Sequence, residues 1–179
     1  MSEQQANLNR ILLLPAVVSV FVVVADRASK LLIRHSMGGF DSISIVPGWI
    51  RIIHTENPGA AFGVLSTGNP VVRSCILIGV SSLVLIFVAS ALWSRRTSFE
   101  ALATRIGLSL ILGGAVGNLY DRIVHGMVTD FLEVYHGLWS FPAFNVADSA
   151  ITVGAIALLI DLVRPRRKPI SDRSELARK

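Results

Sequence analysis

Long apolar runs without charged residues alternate with short polar or glycine-rich segments along this chain. A helix that crosses a hydrocarbon core of ~30 Å needs about 20 residues. Three apolar runs carry no charge: residues 11–25, 74–94 and 106–120. A fourth, residues 141–160, contains a single aspartate, Asp148. The pattern therefore predicts an all-α membrane protein with four transmembrane helices. The predicted spans cover about residues 11–33, 74–94, 105–122 and 141–163.

The connection between the first two predicted helices has a different character. Residues 35–69 are rich in glycine and proline, and isoleucines recur there in short, partly alternating runs. Alternation over a few residues, bounded by turn formers, is typical of short strands. We therefore predict a small extramembrane β-like sheet in this outer loop. Trp49 is expected near the lipid headgroups, where indole rings are enriched.

The composition supports a membrane protein, since 52% of the residues are hydrophobic and only 16% are charged. The mean hydropathy is +0.60. The formal net charge of +5 is concentrated in clusters beside the apolar runs. Such clusters indicate topology rather than nucleic-acid binding, and lysine and arginine mark the cytoplasmic side. With four spans, both termini are predicted in the cytoplasm. The clusters comprise Arg95, Arg96 and Arg105, and Arg164, Arg166, Arg167 and Lys168.

One integral-membrane domain is predicted for residues 1–165. The first apolar run follows Arg10, as in a secretory signal peptide, but no convincing small-residue cleavage site comes after it. We therefore predict a retained helix. Residues 166–179 are basic and polar, with little to bury, and are expected to be disordered. The one cysteine, Cys75, excludes an internal disulfide.

Polar residues within the apolar runs are predicted to meet near the outer surface. Ionisable groups are expensive in a membrane and often functional. With alternating helix directions, the polar positions of the first, third and fourth helices fall at the same depth. Residues three or four apart share one helix face. The residues concerned are Asp26, Lys30, Asn118, Asp121, Arg122, Asn145 and Asp148, with Asp130 just beyond the third helix.

Small residues spaced four apart allow close helix packing in lipid. Gly113 and Gly117 have this spacing on the third helix, as do Ala150 and Gly154 on the fourth. We expect these two helices to pack tightly and to bring the regions of Asp130 and Asp148 together.

Structural explanations remain open for several polar residues. Asp26 with Lys30, and Asp121 with Arg122, are also explained as simple ion pairs. Asp148 is harder to explain, because no lysine or arginine lies within fifteen positions of it. The remaining alternatives are an ordinary turn residue at Asn57 and solvated loop residues at His125, Glu133 and His136.

The motifs resemble those of the bacterial lipoprotein signal peptidases, also called signal peptidase II, over about residues 10–163. The similarity is carried by Asp26 with Lys30, Asn57-Pro58-Gly59, the run Gly113 to Arg122, Val128-Thr129-Asp130-Phe131 and Asn145-Val146-Ala147-Asp148. The resemblance implies a four-helix aspartyl endopeptidase of the inner membrane. Such an enzyme removes the signal peptide of prolipoproteins just before the diacylglyceryl-modified cysteine, near the periplasmic face. Globomycin-type peptide inhibitors are implied as ligands, and membrane lipid as a partner.

The resemblance also implies roles for individual residues. Asp130 and Asp148 are expected to be catalytic. Seven residues are expected to bind substrate or support the site: Asp26, Lys30, Asn57, Asn118, Asp121, Arg122 and Asn145.

Two adjacent aspartates suit hydrolysis without a cofactor. Close carboxylates do not both ionise easily, so one can act on water as a base while the other donates a proton. No metal is expected, because the chain has no His-x₃-His pattern and no pair of cysteines. The alternative function is a small proton-coupled transporter, since buried charges also suit that task. Transporters often contain internal repeats, whereas the halves of this chain do not resemble each other.

Overall fold

The computed structural model describes residues 3–39, 41–59, 69–93 and 102–163, with side chains from residue 13 onward. The predicted tail lies outside these ranges. Within them, four α-helices and four short strands follow one another. Their order is α1 (Glu3–Ser36), β1 (Ser42–Val46), β2 (Ile50–Asn57), α2 (Pro70–Trp93), α3 (Leu102–His125), β3 (Val128–His136), β4 (Trp139–Ser140) and α4 (Val146–Val163).

Three described helices are long and apolar enough to cross a membrane: Pro70–Leu92, Leu102–His125 and Val146–Val163. The predicted first span lies inside the 34-residue helix α1. That helix is apolar only from Ile11 to Ala25, and its last third carries four charged residues that contact other elements. The count of four spans therefore remains a prediction. The charged residues are Asp26, Arg27, Lys30 and Arg34.

The centre of the bundle is α3, which packs against all three other helices. Its contact with α1 depends on two glycines. A Cβ on Gly117 would lie 2.5 Å from Oδ2 of Asp26, and one on Gly113 would lie 2.7 Å from the carbonyl oxygen of Ser19. The expectation that Gly113 and Gly117 form the contact with the fourth helix is therefore wrong for Gly113, which faces α1. Gly117 lies chiefly against Asp26 of α1.

A second row of small residues joins α3 to α4. A Cβ on Gly107 would lie 2.9 Å from the carbonyl oxygen of Gly154, and Gly114 lies against the backbone of Ala147. The close contact between these helices was predicted, but the α3 residues that make it are Gly107 and Gly114. The predicted role of Gly154 is confirmed.

The four strands form one antiparallel sheet in the order β1-β2-β3-β4. The predicted sheet is thus wrong in extent, because the connection after α3 contributes half of its strands. In the central pair, Thr55 lies opposite Asp130 and Asn57 lies opposite Val128. A strand pair between distant segments is not visible in the local pattern of either segment. The sheet therefore brings Asn57 to the Asp130 region.

One prediction for the second outer connection is wrong, and another is confirmed. Glu133 was predicted as a solvated loop residue, but it is buried in β3 and forms an ion pair with Arg51 across the sheet. His125 and His136 are exposed, as predicted. The His136 ring stacks on Trp49, with 4.3 Å between ring centroids.

The segments around β3 hold it against the helix bundle. Gly126 has a φ of 73° and follows the last residue of α3, a common way to end a helix. The fourth helix begins at Val146 rather than at the predicted residue 141. Phe144, two residues before the helix, instead pairs with Leu132 of β3, and its backbone nitrogen donates to the Leu132 carbonyl at 3.0 Å. These two connections place the start of α4 beside the start of β3.

Candidate active site

The two predicted catalytic carboxylates come from different elements. Asp130 is the third residue of β3 and is buried, with 3% of its surface exposed. Asp148 lies in the first turn of α4 and is partly buried. Their charges interact, since the carboxylate of Asp148 contributes to raising the pKa of Asp130. The structure therefore brings the predicted pair together.

Asp148 is held by a reciprocal cap at the start of α4. The backbone nitrogen of Asp148 donates to Oδ1 of Asn145 at 2.9 Å, and the backbone nitrogen of Asn145 donates to Oδ2 of Asp148 at 3.3 Å. This is the geometry of a capping box, with Asn145 as N-cap and Asp148 three residues later. A carboxylate in the first turn also interacts favourably with the helix dipole. The motif Asn-Val-Ala-Asp thus both begins α4 and orients Asp148.

Asn145 connects this cap to the other carboxylate. Its side-chain amide donates to Oδ1 of Asp130 at 2.7 Å and to the carbonyl oxygen of Thr129 at 3.3 Å. The sequence pattern predicted that Asn145 and Asp148 share a helix face. The structure instead places Asn145 before the helix, where it lies between Asp148 and Asp130.

Two further asparagines direct amide groups at the carboxylates. Asn57 donates to Oδ2 of Asp130 at 3.0 Å, and Asn118 donates to Oδ1 of Asp148 at 2.8 Å. The ordinary turn role of Asn57 is also present, because its Oδ1 accepts from the backbone nitrogen of Gly59 at 2.9 Å.

The hydrogen-bond partner of the side-chain oxygen fixes the orientation of the amide group in all three asparagines. The side-chain oxygen of each accepts from a group that can only donate, so its NH₂ group must face a carboxylate. The donor-only groups are the Gly59 nitrogen for Asn57, the Lys30 ammonium for Asn118 and the Asp148 nitrogen for Asn145. Asp130 and Asp148 therefore lie in a fixed field of amide donors.

A cluster of buried charges lies behind Asn118. The ammonium of Lys30 is fully buried and lies 2.8 Å from Oδ2 of Asp26 and 2.8 Å from Oδ2 of Asp121. Asp121 also pairs with Arg27 at 2.5 Å and with Arg34 at 3.6 Å. The alternative that Asp121 pairs with its neighbour in sequence is wrong, because its partners are on α1.

The guanidinium of Arg122 lies near the segment that follows β2. Its guanidinium donates weakly to the carbonyl oxygens of Asn118, at 3.4 Å, and of Gly59, at 3.5 Å. Its Nε is buried without a hydrogen-bond partner among the described residues. Arg122 also interacts electrostatically with Asp130 and Asp148. A cation with a spare donor beside two carboxylates is suited to bind a substrate carbonyl.

Burial raises the pKa of Asp130 from 3.8 to about 6. The hydrogen bonds from Asn57 and Asn145 oppose this rise, whereas the charge of Asp148 adds to it. An isolated aspartate would be fully ionised well below that pH. Asp130 consequently retains its proton in a pH range where a solvated aspartate would have lost it.

Four residues in contact with this network were missed by the sequence analysis. Arg34 donates from Nε to Oγ1 of Thr129 at 2.6 Å, and Thr129 donates to Oε1 of Glu56 at 2.9 Å. The signal for Arg27 and Arg34 was their spacing around Lys30, which puts all three on one side of α1. Glu56 and Thr129 are cross-strand neighbours, and their pairing gave no local signal.

All nine residues predicted for the site belong to one connected hydrogen-bond and ion-pair network among the described residues. One buried and one partly buried carboxylate lie in a fixed array of donors at one end of a mostly apolar helix bundle, and this arrangement defines the class of the protein. It is a membrane protein with a site suited to acid–base hydrolysis.

Comparison with known proteins agrees with this class. The family model described as Signal peptidase (SPase) II matches residues 18–164. The lipoprotein signal peptidase of Solibacter usitatus is 42% identical over 151 residues, covering 84% of this chain and 91% of the relative. That of Geobacter metallireducens is 40% identical over 157 residues, covering 88% and 94%. The chain belongs to the signal peptidase II family.

Two solved structures share the fold. One is a bacterial membrane enzyme determined by the in meso method at 2.3 Å resolution. It superposes with a TM-score of 0.76 and 28% sequence identity, covering 87% of this chain and 93% of the other. The second, determined in the same way at 1.9 Å, gives a TM-score of 0.71 at 29% identity. The arrangement of helices and sheet is therefore that of known membrane enzymes.

Proposed function

We propose that this chain is an aspartic endopeptidase that removes the signal peptide from lipid-modified prolipoproteins, just before the diacylglyceryl-cysteine. Membership of the signal peptidase II family and the names of the relatives support the peptidase and its lipoprotein substrates. The observation that carries the aspartic mechanism is the shared contact of Asn145 with Asp130 and Asp148. We refer to these two aspartates as the dyad.

In the proposed mechanism the dyad shares one proton. The ionised member takes a proton from a water molecule, which attacks the scissile carbonyl carbon. The protonated member donates its proton to the carbonyl oxygen, giving a neutral tetrahedral intermediate. Collapse of that intermediate breaks the C–N bond, and the amine leaves with a proton from the dyad. The mechanism requires one proton on the dyad and works with that proton on either member at the start of the reaction.

The supporting residues have separate tasks in this proposal. The three asparagines orient the dyad, because their NH₂ groups are directed at it. Arg122, with its unpaired Nε, binds a substrate backbone carbonyl. Asp26, Lys30 and Asp121 hold α1 against α3 behind the site.

We further propose that the site lies near the periplasmic face of the inner membrane, with both chain termini in the cytoplasm. The dyad lies where the helices meet the sheet, and the diacylglyceryl chains of a prolipoprotein stay in the bilayer. A site at the outer interface therefore meets the modified cysteine at its own depth. Membrane lipid and globomycin-type peptides are the other proposed partners. Family membership does not support the transporter alternative.

The test is a gel-shift assay of a purified, lipidated prolipoprotein with the detergent-solubilised enzyme. We expect Asp130→Asn and Asp148→Asn each to lower turnover by at least about 10²–10⁴-fold, because each removes an acid or base. Both variants should elute from size exclusion as the wild type does. Near wild-type turnover by either one contradicts the dyad.

A matched substrate tests the specificity. Replacing the acceptor cysteine of the prolipoprotein by serine prevents lipidation, and we expect this substrate to remain uncut. Mass spectrometry of the mature product should show the diacylglyceryl-cysteine at its new amino terminus. Cleavage at another bond, or equal cleavage of the serine substrate, rules out the proposed specificity.

A further inference from the structure

We propose that Lys30 is a positioning residue for peptide cleavage, which it serves by fixing the amide of Asn118 against Asp148. This inference rests on the proposed role of Asp148 in the dyad. It gives Lys30 a task beyond joining the helices.

The first argument is the hydrogen-bonding capacity of the ammonium group. Lysine has three N–H donors and no acceptor. It donates hydrogen bonds to Oδ2 of Asp26 at 2.8 Å and to Oδ1 of Asn118 at 2.9 Å, and it forms an ion pair with Oδ2 of Asp121 at 2.8 Å. Because the Lys30 side chain is fully buried, no water competes for these donors. Two hydrogen bonds and one ion pair therefore fix the ammonium group in place.

The second argument concerns what this does to Asn118. A donor-only neighbour forces the side-chain oxygen of Asn118 toward Lys30. The NH₂ group must then point to the opposite side, where it meets Oδ1 of Asp148 at 2.8 Å. The other donor to this oxygen among the described residues is the amide of Asn145, at a long 3.4 Å. Without Lys30 the Asn118 amide is therefore held only weakly and could turn over to present its oxygen to Asp148. An oxygen facing the carboxylate would repel its ionised form and favour its protonation.

The ion pair of Lys30 with Asp26 acts on the position of Asp148 by a second route. The other carboxylate oxygen of Asp26 accepts from the backbone nitrogen of Ala147 at 3.0 Å. Ala147 immediately precedes Asp148 in the first turn of α4. Lys30 thus holds Asp26 in the position from which it anchors the backbone beside Asp148. Both routes converge on one member of the dyad.

A purely structural role makes a different prediction. If Lys30 served only to neutralise buried carboxylates, removing it together with one carboxylate would leave catalysis intact. Replacing a buried ion pair as a whole is often tolerated, whereas breaking one is not. In the double variant Lys30→Met/Asp26→Asn, Asp121 retains Arg27 at 2.5 Å. The asparagine at position 26 can still accept from Ala147. This variant therefore removes the donor to Asn118 without leaving an unpaired buried charge.

The decisive comparison is between Lys30→Met/Asp26→Asn and Lys30→Gln/Asp26→Asn. Methionine and glutamine are similar in size and both neutral, but only glutamine can donate to Asn118. We expect the methionine variant to lose about 10²-fold in kcat, the scale of a misplaced catalytic group, with KM little changed. We expect the glutamine variant to recover a substantial part of that loss. Equal kcat values for the two, or a kcat near wild type for the methionine variant, overturn the inference.

Combination with Asn118→Leu tests the route. Residues that act through one another are not additive. If Lys30 acts mainly through Asn118, adding the methionine pair to Asn118→Leu should lower kcat by less than about threefold. A full further loss would show independent action and overturn the proposed route.

The matched control is Arg51→Met/Glu133→Gln, which removes an ion pair across the sheet that contacts none of the three asparagines. Its kcat should be unchanged.

If the methionine variant does not elute as the wild type does, Asn118→Asp takes its place. That change keeps Lys30 paired but directs an oxygen at Asp148, so kcat should fall by at least about 10²-fold. Retained activity overturns the inference. Failure of the dyad itself is recognised separately, because Asp148→Asn would then be active with Lys30 unchanged.

Discussion

At the scale of single residues, the site is defined by which groups can only donate. Asparagine has both a donor and an acceptor, and alone it could face a carboxylate in either orientation. Each of the three asparagines loses this freedom to a neighbouring N–H group. The dyad is therefore surrounded by NH₂ groups before any substrate arrives. Electrostatic groups that are oriented in advance are the most effective in catalysis, because they need no reorganisation during the reaction.

The raised pKa of Asp130 predicts a pH-dependent gain in stability for its asparagine variant. The folded protein binds this proton more tightly than the unfolded chain, so stability falls as pH rises from 3.8 to about 6. At pH 7 the ionised carboxylate destabilises the fold by about 3 kcal/mol. Asp130→Asn should remove that penalty and should lose about 1 kcal/mol of stability through one lost hydrogen bond. The net expectation is a higher free energy of unfolding at pH 7.

Thermal unfolding in detergent tests this prediction. We expect Asp130→Asn to melt several degrees above the wild type at pH 7, and the difference to narrow toward pH 4, where the wild-type carboxyl is protonated. The control is Asp41→Asn, which makes the same substitution at an exposed position. A melting temperature of Asp130→Asn below that of the wild type at pH 7 contradicts the raised pKa.

At the scale of elements, the start of a helix and the close approach of two helices create the site. The N-cap of α4 places Asp148, and the glycines of α3 let α1 and α4 approach closely enough for side chains from all three helices to meet. Both features, the asparagine N-cap and the helical glycine, also occur at positions that do not contact the dyad. These counterparts provide matched controls.

The first pair compares two N-caps. Asn69 caps α2 by accepting from the backbone nitrogens of Val71, at 2.9 Å, and Val72, at 3.3 Å. Asn69→Ala and Asn145→Ala should each destabilise the protein by about 1 kcal/mol through the lost cap. Only Asn145→Ala should also lower kcat, by about 10²-fold or more, because it alone contacts the dyad. A similar kcat for both variants would mean that Asn145 acts as a cap and nothing more.

The second pair compares two glycines. Gly117→Ala introduces a methyl group 2.5 Å from Oδ2 of Asp26, whereas a Cβ on Gly79 of α2 meets nothing within 4 Å. Overpacking of this kind typically destabilises by about 1–3 kcal/mol. We expect Gly117→Ala to melt at a lower temperature than the wild type and Gly79→Ala to be neutral or stabilised, since alanine favours helix. A melting temperature of Gly117→Ala equal to that of the wild type would show that α1 can shift away from α3 without loss of stability.

At the scale of the whole molecule, polar and apolar groups are separated along the bundle. The dyad, the three asparagines and the buried charge cluster lie toward the ends of α1 and α3 and the start of α4, next to the sheet. Away from that end, the helices expose apolar side chains on their outer surfaces, including Phe21, Phe87 and Leu159. A surface of that kind is suited to lipid. The predicted orientation then places the sheet outside the cytoplasm.

Reporter fusions test this orientation. A fusion after Asn69 should report the periplasmic side, and one after Arg96 should report the cytoplasm, because lysine and arginine accumulate in cytoplasmic connections. A full-length fusion at the carboxyl terminus, expected in the cytoplasm, is the control for expression. If Asn69 and Arg96 report the same side, the four-span topology and the periplasmic site are both wrong.

The sequence by itself determined the helices and identified the polar residues of the site. Apolar runs of nearly 20 residues leave few structures other than helices, and a charge within such a run stands out. For that reason Asp26, Lys30, Asn118 and Asp148 were recognised without a structure.

Only the tertiary structure decided which groups meet. The sheet between β2 and β3 depends on residues more than 70 positions apart, as in the pair Asn57 and Val128. The partners of Asp121 lie on α1, because helix packing rather than sequence proximity sets the shortest distances. Asn145 precedes α4 because its side chain satisfies the free N–H of the first turn, a competition that hydrophobic periodicity does not reveal. Local pattern thus specifies elements and their polar positions, whereas hydrogen bonds between elements specify the site.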